Sequence, residues 1–303
     1  MKNILIVLSG PTGVGKTDIA LDIAEHFNTE IISSDSRQFY KEMRIGTAVP
    51  DDQQLQRINH HFIRFISAED YYSASRFERD VLNLLPEIFR NNRFAVMAGG
   101  SGMYIDAVCN SIDDIPDVPP EIRNKYIDLS KNEPVESLRV ALKLMDPVYY
   151  SAVDLKNSKR IIRALEICET TGRPYSSFLT NQKRERDFII QKIGLTRPRD
   201  ELYARINSRV DKMIEEGLVE EVRSLYAMKH LNALNSVGYK EIFDYMDGSI
   251  TYEKSIELIK RNTRRFAKRQ MTWWSRDKEI NWFHPDQVTG IINFITEAAY
   301  RIE

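Results

Sequence analysis

The stretch Ile4-Leu5-Ile6-Val7-Leu8-Ser9-Gly10-Pro11-Thr12-Gly13-Val14-Gly15-Lys16-Thr17 decides the fold. Its first five residues are apolar without alternation, the pattern of a strand covered on both faces in a parallel sheet. Residues 10–17 fit G-x-x-x-x-G-K-[ST] at every fixed position, and residues 16–26 then space Ile19, Ala20, Ile23 and Ala24 along one helix face. Strand, glycine loop and helix in that order are the context in which this motif binds phosphate. Glycines let backbone N–H groups converge on phosphate oxygens, and the helix N-terminus adds partial positive charge. Lys16 supplies a full charge, and the Thr17 hydroxyl can hold Mg²⁺. Gly10, Pro11, Thr12, Gly13, Val14, Gly15, Lys16 and Thr17 are therefore predicted to seat a diphosphate or triphosphate.

Outward from this loop, short apolar segments at 30–33, 62–66 and 94–98 read as further strands, and residues 74–89 repeat apolar positions with a helical period. Strands alternating with helices predict an α/β fold, a P-loop NTPase-like parallel sheet flanked by helices. The alternation stops at the proline-rich stretch 113–120. Residues 120–179 read as helices with no strand, and 188–195 returns to the sheet. The expectation is a core made of residues 1–112 and 188–303, with an all-helical domain, 113–187, inserted into it. Helices are expected at 200–216, 218–228 and 252–275, and a last strand near 280–283.

Bulk composition narrows the classes. At 303 residues, with 42% hydrophobic and 29% charged residues, the chain suits a folded protein of two domains. No segment approaches the roughly 20 apolar residues that span a bilayer. The N-terminal strand runs straight into the glycine motif, without the cleavage site of a signal peptide. A cytoplasmic protein with no membrane partner is expected. Cys109 and Cys168 are too far apart for a redox or zinc motif and read as reduced, partly buried thiols. His60-His61, with no further ligand at metal spacing, does not read as a metal site.

Three features bear on chemistry. The strand 94–98 ends in Gly99-Gly100-Ser101-Gly102, where an ATPase or GTPase carries an acidic residue for Mg²⁺. That weighs against hydrolysis, and the glycines are expected to admit a ligand backbone closely. Asp35 stands just past the second strand, at the sheet edge where ligands bind in this architecture, and reads as a base or metal ligand. Residues 260–276 contain no acidic residue. On a helix, Lys260, Arg264 and Lys268 form one row and Arg261, Arg265 and Arg269 the next, while Ile256, Ile259, Phe266 and Trp273 should pack inward. In a chain of net charge −1 an all-positive face suits contact with a phosphate backbone. Lys156, Lys159, Arg160 and Arg163 form a second basic cluster.

With these residues together, the chain resembles the bacterial tRNA dimethylallyltransferase family, also called tRNA isopentenyltransferases, through nearly its whole length. The resemblance rests on residues 10–17, on Ile31-Ile32-Ser33-Ser34-Asp35-Ser36-Arg37-Gln38, on Tyr40 with Ile45-Gly46-Thr47-Ala48, and on Gly99-Gly100-Ser101-Gly102-Met103-Tyr104. It continues through Lys159-Arg160-Ile161-Ile162-Arg163-Ala164-Leu165-Glu166, Val237-Gly238-Tyr239-Lys240-Glu241 and Ala267-Lys268-Arg269-Gln270-Met271-Thr272-Trp273. It implies dimethylallyl diphosphate as donor and, as acceptor, N6 of the adenosine 3′ to the anticodon, within the tRNA anticodon stem-loop. It implies that Lys16, Thr17 and Arg209 bind the diphosphate, that Asp35 is the base, and that the helical insertion contacts tRNA. The tRNA contacts it implies are Asp35, Ser36, Arg37, Gln38, Ser101, Arg123, Lys159, Arg160, Ile161, Ile162, Arg163, Gly238, Tyr239 and Lys240. Arg264, Arg265 and Lys268 of the basic helix would join them. Ser101 stands where the family often has Thr, and Lys159 where Gln is common; both can still donate hydrogen bonds.

Two other classes remain at this point. A small-molecule or nucleoside kinase would use the same loop, with Asp35 near the acceptor hydroxyl, but needs neither the basic helix nor the glycine-rich strand end. A nucleotide-gated RNA-binding protein would leave Asp35 idle. One tRNA needs only one chain, so a monomer is expected, with Mg²⁺ as cofactor.

Overall fold

A computed structural model describes residues 2–113, 115–180 and 184–300. Residues 182 and 183, part of the charged stretch expected to close the insertion, lie outside them. The first unit comprises residues 1–109 and 185–303, and the second residues 110–184.

The first unit is built on strands β1 (Ile4–Ser9), β2 (Ile31–Ser33), β3 (His60–His61), β4 (Phe94–Gly99), β5 (Ile189–Leu195) and β6 (Asn281–Phe283). They form one sheet in the order β3-β2-β4-β1-β5-β6, with every pairing parallel. β1 is central and wholly buried, as its unbroken apolar run requires. Helix α1 (Lys16–His26) follows the glycine loop and buries Ile19, Ala20, Leu21, Ile23 and Ala24 against β1 and its neighbours. The other face is covered by α3 (Ala74–Asn91) and α4 (Gly102–Asn110), through Phe77, Val81, Leu85 and Ile105. A short helix α2 (Asp52–Arg57) precedes β3, with Asp51 and Gln54 closing a reciprocal cap.

The third strand differs from expectation. The ladder holds only His60 and His61, paired with Ile31 and Ile32. Phe62 and Arg64 take positive φ of 61° and 49°, which takes the chain out of strand geometry. The amides of Arg64 and Phe65 donate to the carbonyls of Gln38 and Phe39 instead. This turn puts Phe62 and Phe65 into an aromatic cluster with Phe39, Phe77 and Tyr72. Ring burial outweighs the β-propensity of the segment.

After β5 come α9 (Arg199–Glu215), α10 (Leu218–Ser224), α11 (Tyr239–Met246), α12 (Tyr252–Trp274) and, past β6, α13 (Val288–Tyr300). Val210, Leu218, Val222, Tyr239, Ile242 and Ile259 give α9 to α12 a core of their own, while α13 packs Ile291, Ile295 and Ala299 into the core around α1. The expected helix over 218–228 ends at Ser224, and Tyr226–Met228 tightens into a 3₁₀ turn.

The second unit carries α5 (Pro120–Asn132), α6 (Val135–Met145), α7 (Pro147–Ala152) and α8 (Ser158–Thr171) around Tyr126, Leu138, Leu142, Ile161 and Leu165. Asp146 is fully buried and ties two elements together. It accepts the amide of Tyr149 as the cap of α7, and the amide and hydroxyl of Ser176 at 2.6 and 2.8 Å. Among the described residues of this unit there is no strand. Cys109 and Cys168 are free and buried, and burial raises the Cys109 thiol to about 12.

Candidate active site

The loop between β1 and α1 opens toward a cavity of about 1040 Å³ lined by Thr12, Gly13, Gly15, Lys16, Thr17 and Asp35 and, from α9, Arg205, Ser208 and Arg209. Gly13 and Gly15 hold φ of 81° and 109°, left-handed conformations that glycine takes at no steric cost. Two arginines brace the loop: Arg205 Nε donates to Gly13 O at 3.1 Å, and Arg197 Nε to Val14 O at 2.9 Å. Lys16 Nζ donates to the carbonyls of Gly10 and Pro11 at 2.9 and 3.0 Å. Burial lowers the Lys16 ammonium to about 8; the Asp35 carboxylate acts against that shift and the Arg209 guanidinium adds to it. Burial also lowers Arg209, again opposed by Asp35. Arg209 Nη1 reaches Thr12 Oγ1 at 3.5 Å. Lys16, Arg205 and Arg209 thus line one side of a polar cavity together with Asp35, an arrangement that can hold a polyanion.

A second cavity, about 490 Å³, adjoins the first. Thr12, Asp35, Thr47, Arg209 and Met213 line both. Its walls are largely apolar: Ile206, Val210, Met213, Leu218, Ile259, Phe266 and Trp273, with Ser36, Arg37, Ser101 and Ser236 among the polar residues. Asp35 is therefore shared by a phosphate-binding space and an apolar one.

The turn carrying Asp35 is fixed from several sides. The Asp35 carboxylate accepts the amide of Arg37 at 3.1 Å. The amide of Ser36 donates to Ser101 Oγ at 2.9 Å, and the Ser101 hydroxyl donates to Ser36 Oγ at 3.0 Å. Gln38 Nε2 donates to Thr47 O and Ala48 O. Arg37 Nη1 donates to Asn232 O and Ala233 O, so it braces a neighbouring segment.

Gly99 answers to the protein's own atoms, where the sequence suggested a ligand, whereas Gly100 lines the apolar cavity as well as meeting a side chain of the protein. A Cβ on Gly99 would stand 2.3 Å from Ser34 Oγ, and one on Gly100 2.4 Å from Gln270 Nε2. Gln270, buried on α12, is the residue that sequence reasoning missed here. Its Oε1 accepts the amide of Thr12 at 2.9 Å and its Nε2 donates to Gly100 O at 2.9 Å, which ties the phosphate loop to the end of β4. The signal lay within the Ala267-Lys268-Arg269-Gln270 run, an uncharged amide in a basic row.

The basic helix needs a correction. The inward stripe of α12 runs through Ser255, Ile259, Ala267, Gln270 and Trp274. Phe266 and Trp273, expected to pack inward, are 39% and 41% exposed and line the apolar cavity. Lys260 pairs with Asp211 at 2.5 Å, and Arg264 Nη1 donates to Asn207 Oδ1 at 2.6 Å with its guanidinium 5.9 Å from the Tyr203 ring. Arg265, Lys268 and Arg269 are exposed and carry the positive face.

Two residues that the resemblance implied as tRNA contacts have side chains turned away from solvent. Tyr239 is fully buried and its hydroxyl donates to Glu221 at 2.6 Å; Ile161 is fully buried in the core of the second unit. Gly238 and Lys240 flank Tyr239, with Lys240 exposed. In the second unit, Lys159 and Arg160 are exposed and Ile162 and Arg163 half-buried on α8. Arg123 and Arg163 flank the buried Glu166 at 3.9 and 3.6 Å. Burial raises the Glu166 carboxyl, and the two arginines oppose that shift.

Comparison with known proteins agrees with this geometry. The family model described as IPP transferase matches residues 38–277. A tRNA dimethylallyltransferase of Bacteroides fragilis is 54% identical over 291 residues, covering 96% of this chain and 97% of its own. One from Phocaeicola vulgatus is 53% identical over 97% and 98% of the two chains. Among solved structures, the full-length tRNA isopentenylpyrophosphate transferase of Bacillus halodurans is 35% identical with a TM-score of 0.71, over 98% and 96% of the chains. A eukaryotic dimethylallyltransferase, described as acting on tRNA, is 27% identical with a TM-score of 0.77, over 93% of this chain and 74% of its own. The phosphate loop, the glycine-ended β4 and the shared Asp35 thus sit on a chain that belongs to the IPP transferase family.

Proposed function

We infer that this chain transfers a dimethylallyl group from dimethylallyl diphosphate to a tRNA adenine, releasing diphosphate, and that the acceptor is N6 of the adenosine 3′ to the anticodon. The observation that carries the reading is the meeting of a polar and an apolar cavity at Asp35, Thr12 and Arg209. An allylic diphosphate has both characters, and its reacting C1 lies at the boundary between them.

The loop amides, Lys16 and Arg209 take the diphosphate and neutralise the charge that grows on it as the C1–O bond breaks. The dimethylallyl tail lies against the apolar wall, where water is excluded and the allylic cation is captured by nitrogen rather than by solvent. The adenine amine is a poor nucleophile because its lone pair is delocalised into the ring. Asp35 orients it and takes one N6 proton as the C1–N6 bond forms, a role worth on the order of 10²–10⁴ in rate. The adenine must leave its stack to reach Asp35, at a cost of a few kcal/mol, which is lower in a loop than in a duplex.

Mg²⁺ is part of the proposal. Thr17 lines the diphosphate cavity at the start of α1, and its hydroxyl makes no hydrogen bond within the described residues. No three His, Cys, Asp or Glu side chains converge among the described residues. That donor set fits an ion carried on phosphate oxygens with one hydroxyl from the protein. Bound there, Mg²⁺ would supply further charge neutralisation of the leaving group.

Exposed Arg265 and Lys268 on α12, and Lys159 and Arg160 on α8, are the residues proposed to meet the RNA backbone. The two cavities are built from one chain, so a monomer suffices. No helix among the described residues is long and apolar enough to cross a membrane. For work on tRNA we propose a cytoplasmic location.

The test is direct. Purified protein is incubated with unmodified tRNA, labelled dimethylallyl diphosphate and Mg²⁺, without ATP. Transfer of label to the tRNA supports the reading; ATP-dependent phosphorylation of a nucleoside, with no transfer, overturns it in favour of a kinase.

A further inference from the structure

The segment 44–49 forms the partition of the site. Gly46 lines the apolar cavity, Ile45, Ala48 and Val49 line the polar one, and Thr47 lines both. The segment belongs to no helix or strand, so something other than a ladder must hold it. Its backbone supplies three consecutive N–H groups, and all three donate to one side chain of α10. Glu221 Oε2 accepts the amides of Arg44 and Ile45 at 3.0 and 2.7 Å, and Oε1 accepts the amide of Gly46 at 3.0 Å. The Tyr239 hydroxyl donates to the same Oε1 at 2.6 Å.

Three successive amides aimed at one point form the kind of concavity that binds anions in phosphate sites. Here a carboxylate of the protein occupies it, with two donors on each oxygen. Charge-assisted bonds of this type are stronger than neutral ones and confer geometric specificity. Gly46 completes the fit: a Cβ there would lie 2.5 Å from the Tyr239 ring. Burial, with the neighbouring Glu221 carboxylate second, raises the Tyr239 phenol far above its usual range, so it serves as a donor throughout.

We propose that Glu221 is a positioning residue for the transfer, holding residues 44–46 so that Thr47 walls the junction beside Asp35 and keeps water from the reacting carbon. The proposal rests on the prenyl-transfer reading. It makes no contact with substrate the reason for the role. If the wall shifts, water competes with N6: the C1–O bond breaks as before, diphosphate departs, a water oxygen bonds to C1 and gives up a proton, and dimethylallyl alcohol forms in place of prenylated tRNA.

The experiment uses the full chain with Glu221→Gln, which keeps size but offers one acceptor oxygen and a donor amide to four donors. Four quantities are read: thermal melting, the rate of transfer to tRNA, the dissociation constant of an unreactive thiolodiphosphate analogue of the donor, and the ratio of dimethylallyl alcohol to prenylated tRNA. The expected result is a transfer rate lower by about 10–100-fold, donor analogue affinity weaker by about fivefold, and an alcohol ratio raised at least about fivefold in protein that still melts cooperatively. A role confined to stability moves the melting temperature and leaves the product ratio alone. Tyr239→Phe, which removes one of the four donors and keeps the ring, should show the same changes at smaller size, and it decides the matter should Glu221→Gln fail to fold. Product ratio and analogue affinity within about twofold of wild type in the folded variants would overturn the proposal. Wild-type protein that leaves tRNA unmodified would instead refute the reading on which it rests, and analogue affinity would still test Glu221.

Discussion

Lys16 gives the sharpest test of the site, because its charge is held in a place that disfavours it. Burial lowers its ammonium from an ordinary 10.5 to about 8 in the free protein. A bound diphosphate supplies the anion that the charged form lacks, so donor binding requires a protonated Lys16. Below about pH 8 the group is already charged and donor affinity is flat; above it, each unit of pH removes a proton that binding must restore. The donor dissociation constant should therefore rise toward tenfold per pH unit between about 8 and 10.5. Stability of the ligand-free protein should move the other way. In that window the unfolded chain holds a proton on Lys16 that the folded one lacks, so stability rises with pH, by at most about 1.4 kcal/mol per unit from this group. The assay is calorimetric titration with the thiolodiphosphate analogue across this range, in which the diphosphate itself is fully ionised, alongside urea melts. Lys16→Met should bind weakly and without the break. A donor affinity that is level from about pH 7.5 to 9.5, or a break that survives Lys16→Met, would refute the reasoning.

Other outcomes follow from the same geometry. Asp35→Asn, measured below the pH at which the variant's own donor affinity begins to fall, should lower turnover by at least about 10² and leave donor analogue affinity nearly intact; a donor-binding defect with normal single-turnover chemistry would remove the base role. Gln270→Leu deletes both bonds between the phosphate loop and β4, and steady-state kinetics should show a fall of about tenfold or more in kcat/KM for the donor. Arg265→Ala and Lys268→Ala should each weaken tRNA binding and cut the slope of log affinity against log salt by about one, whereas Arg264→Ala, already engaged with Asn207 and Tyr203, should change that slope less. Lys159→Ala with Arg160→Ala should reduce tRNA affinity and leave donor affinity unchanged in a binding assay with the analogue alone.

What the sequence displayed and what it hid divide along a physical line. The phosphate loop was legible because each of its properties belongs to a residue type: glycine torsions, a lysine charge, a hydroxyl at a helix start. The parallel sheet was legible for the same reason, from an apolar run without alternation. Asp35 could be placed by its position after β2, but its neighbours Arg209 and Gln270 lie 174 and 235 residues away in the chain, and no local period announces such a meeting. The third strand was misplaced because Phe62 and Phe65 have strand propensity yet gain more by entering an aromatic cluster through a left-handed turn. On α12, one period carries two demands. Gln270 takes an inward position and Phe266 an outward one, the reverse of what polarity suggests, because the inside of that helix at this level is the phosphate loop and its outside is a cavity.

That inversion bears on why this scaffold transfers a carbon rather than hydrolysing a phosphate. In a nucleotide hydrolase the strand beside the loop strand ends in a carboxylate, which helps hold Mg²⁺ and thereby places water near the outer phosphorus. β4 is that strand, paired with β1 through Ser9 and Gly99. Its end offers no room for a carboxylate, since Ser34 and Gln270 occupy the space a side chain on Gly99 or Gly100 would need. Among the described residues, Asp35 is the only acid that lines both cavities, and it follows β2. Moving the acid by one strand moves the reacting atom outward, from phosphorus to the carbon beyond the diphosphate. An allylic carbon, unlike phosphorus, needs its surroundings dry, and the apolar wall of α9 and α12 meets that need. An acid restored at Gly99 would therefore disrupt packing against Ser34 before it could recruit water, and the Gly99→Asp variant should lose cooperative melting rather than acquire hydrolase activity.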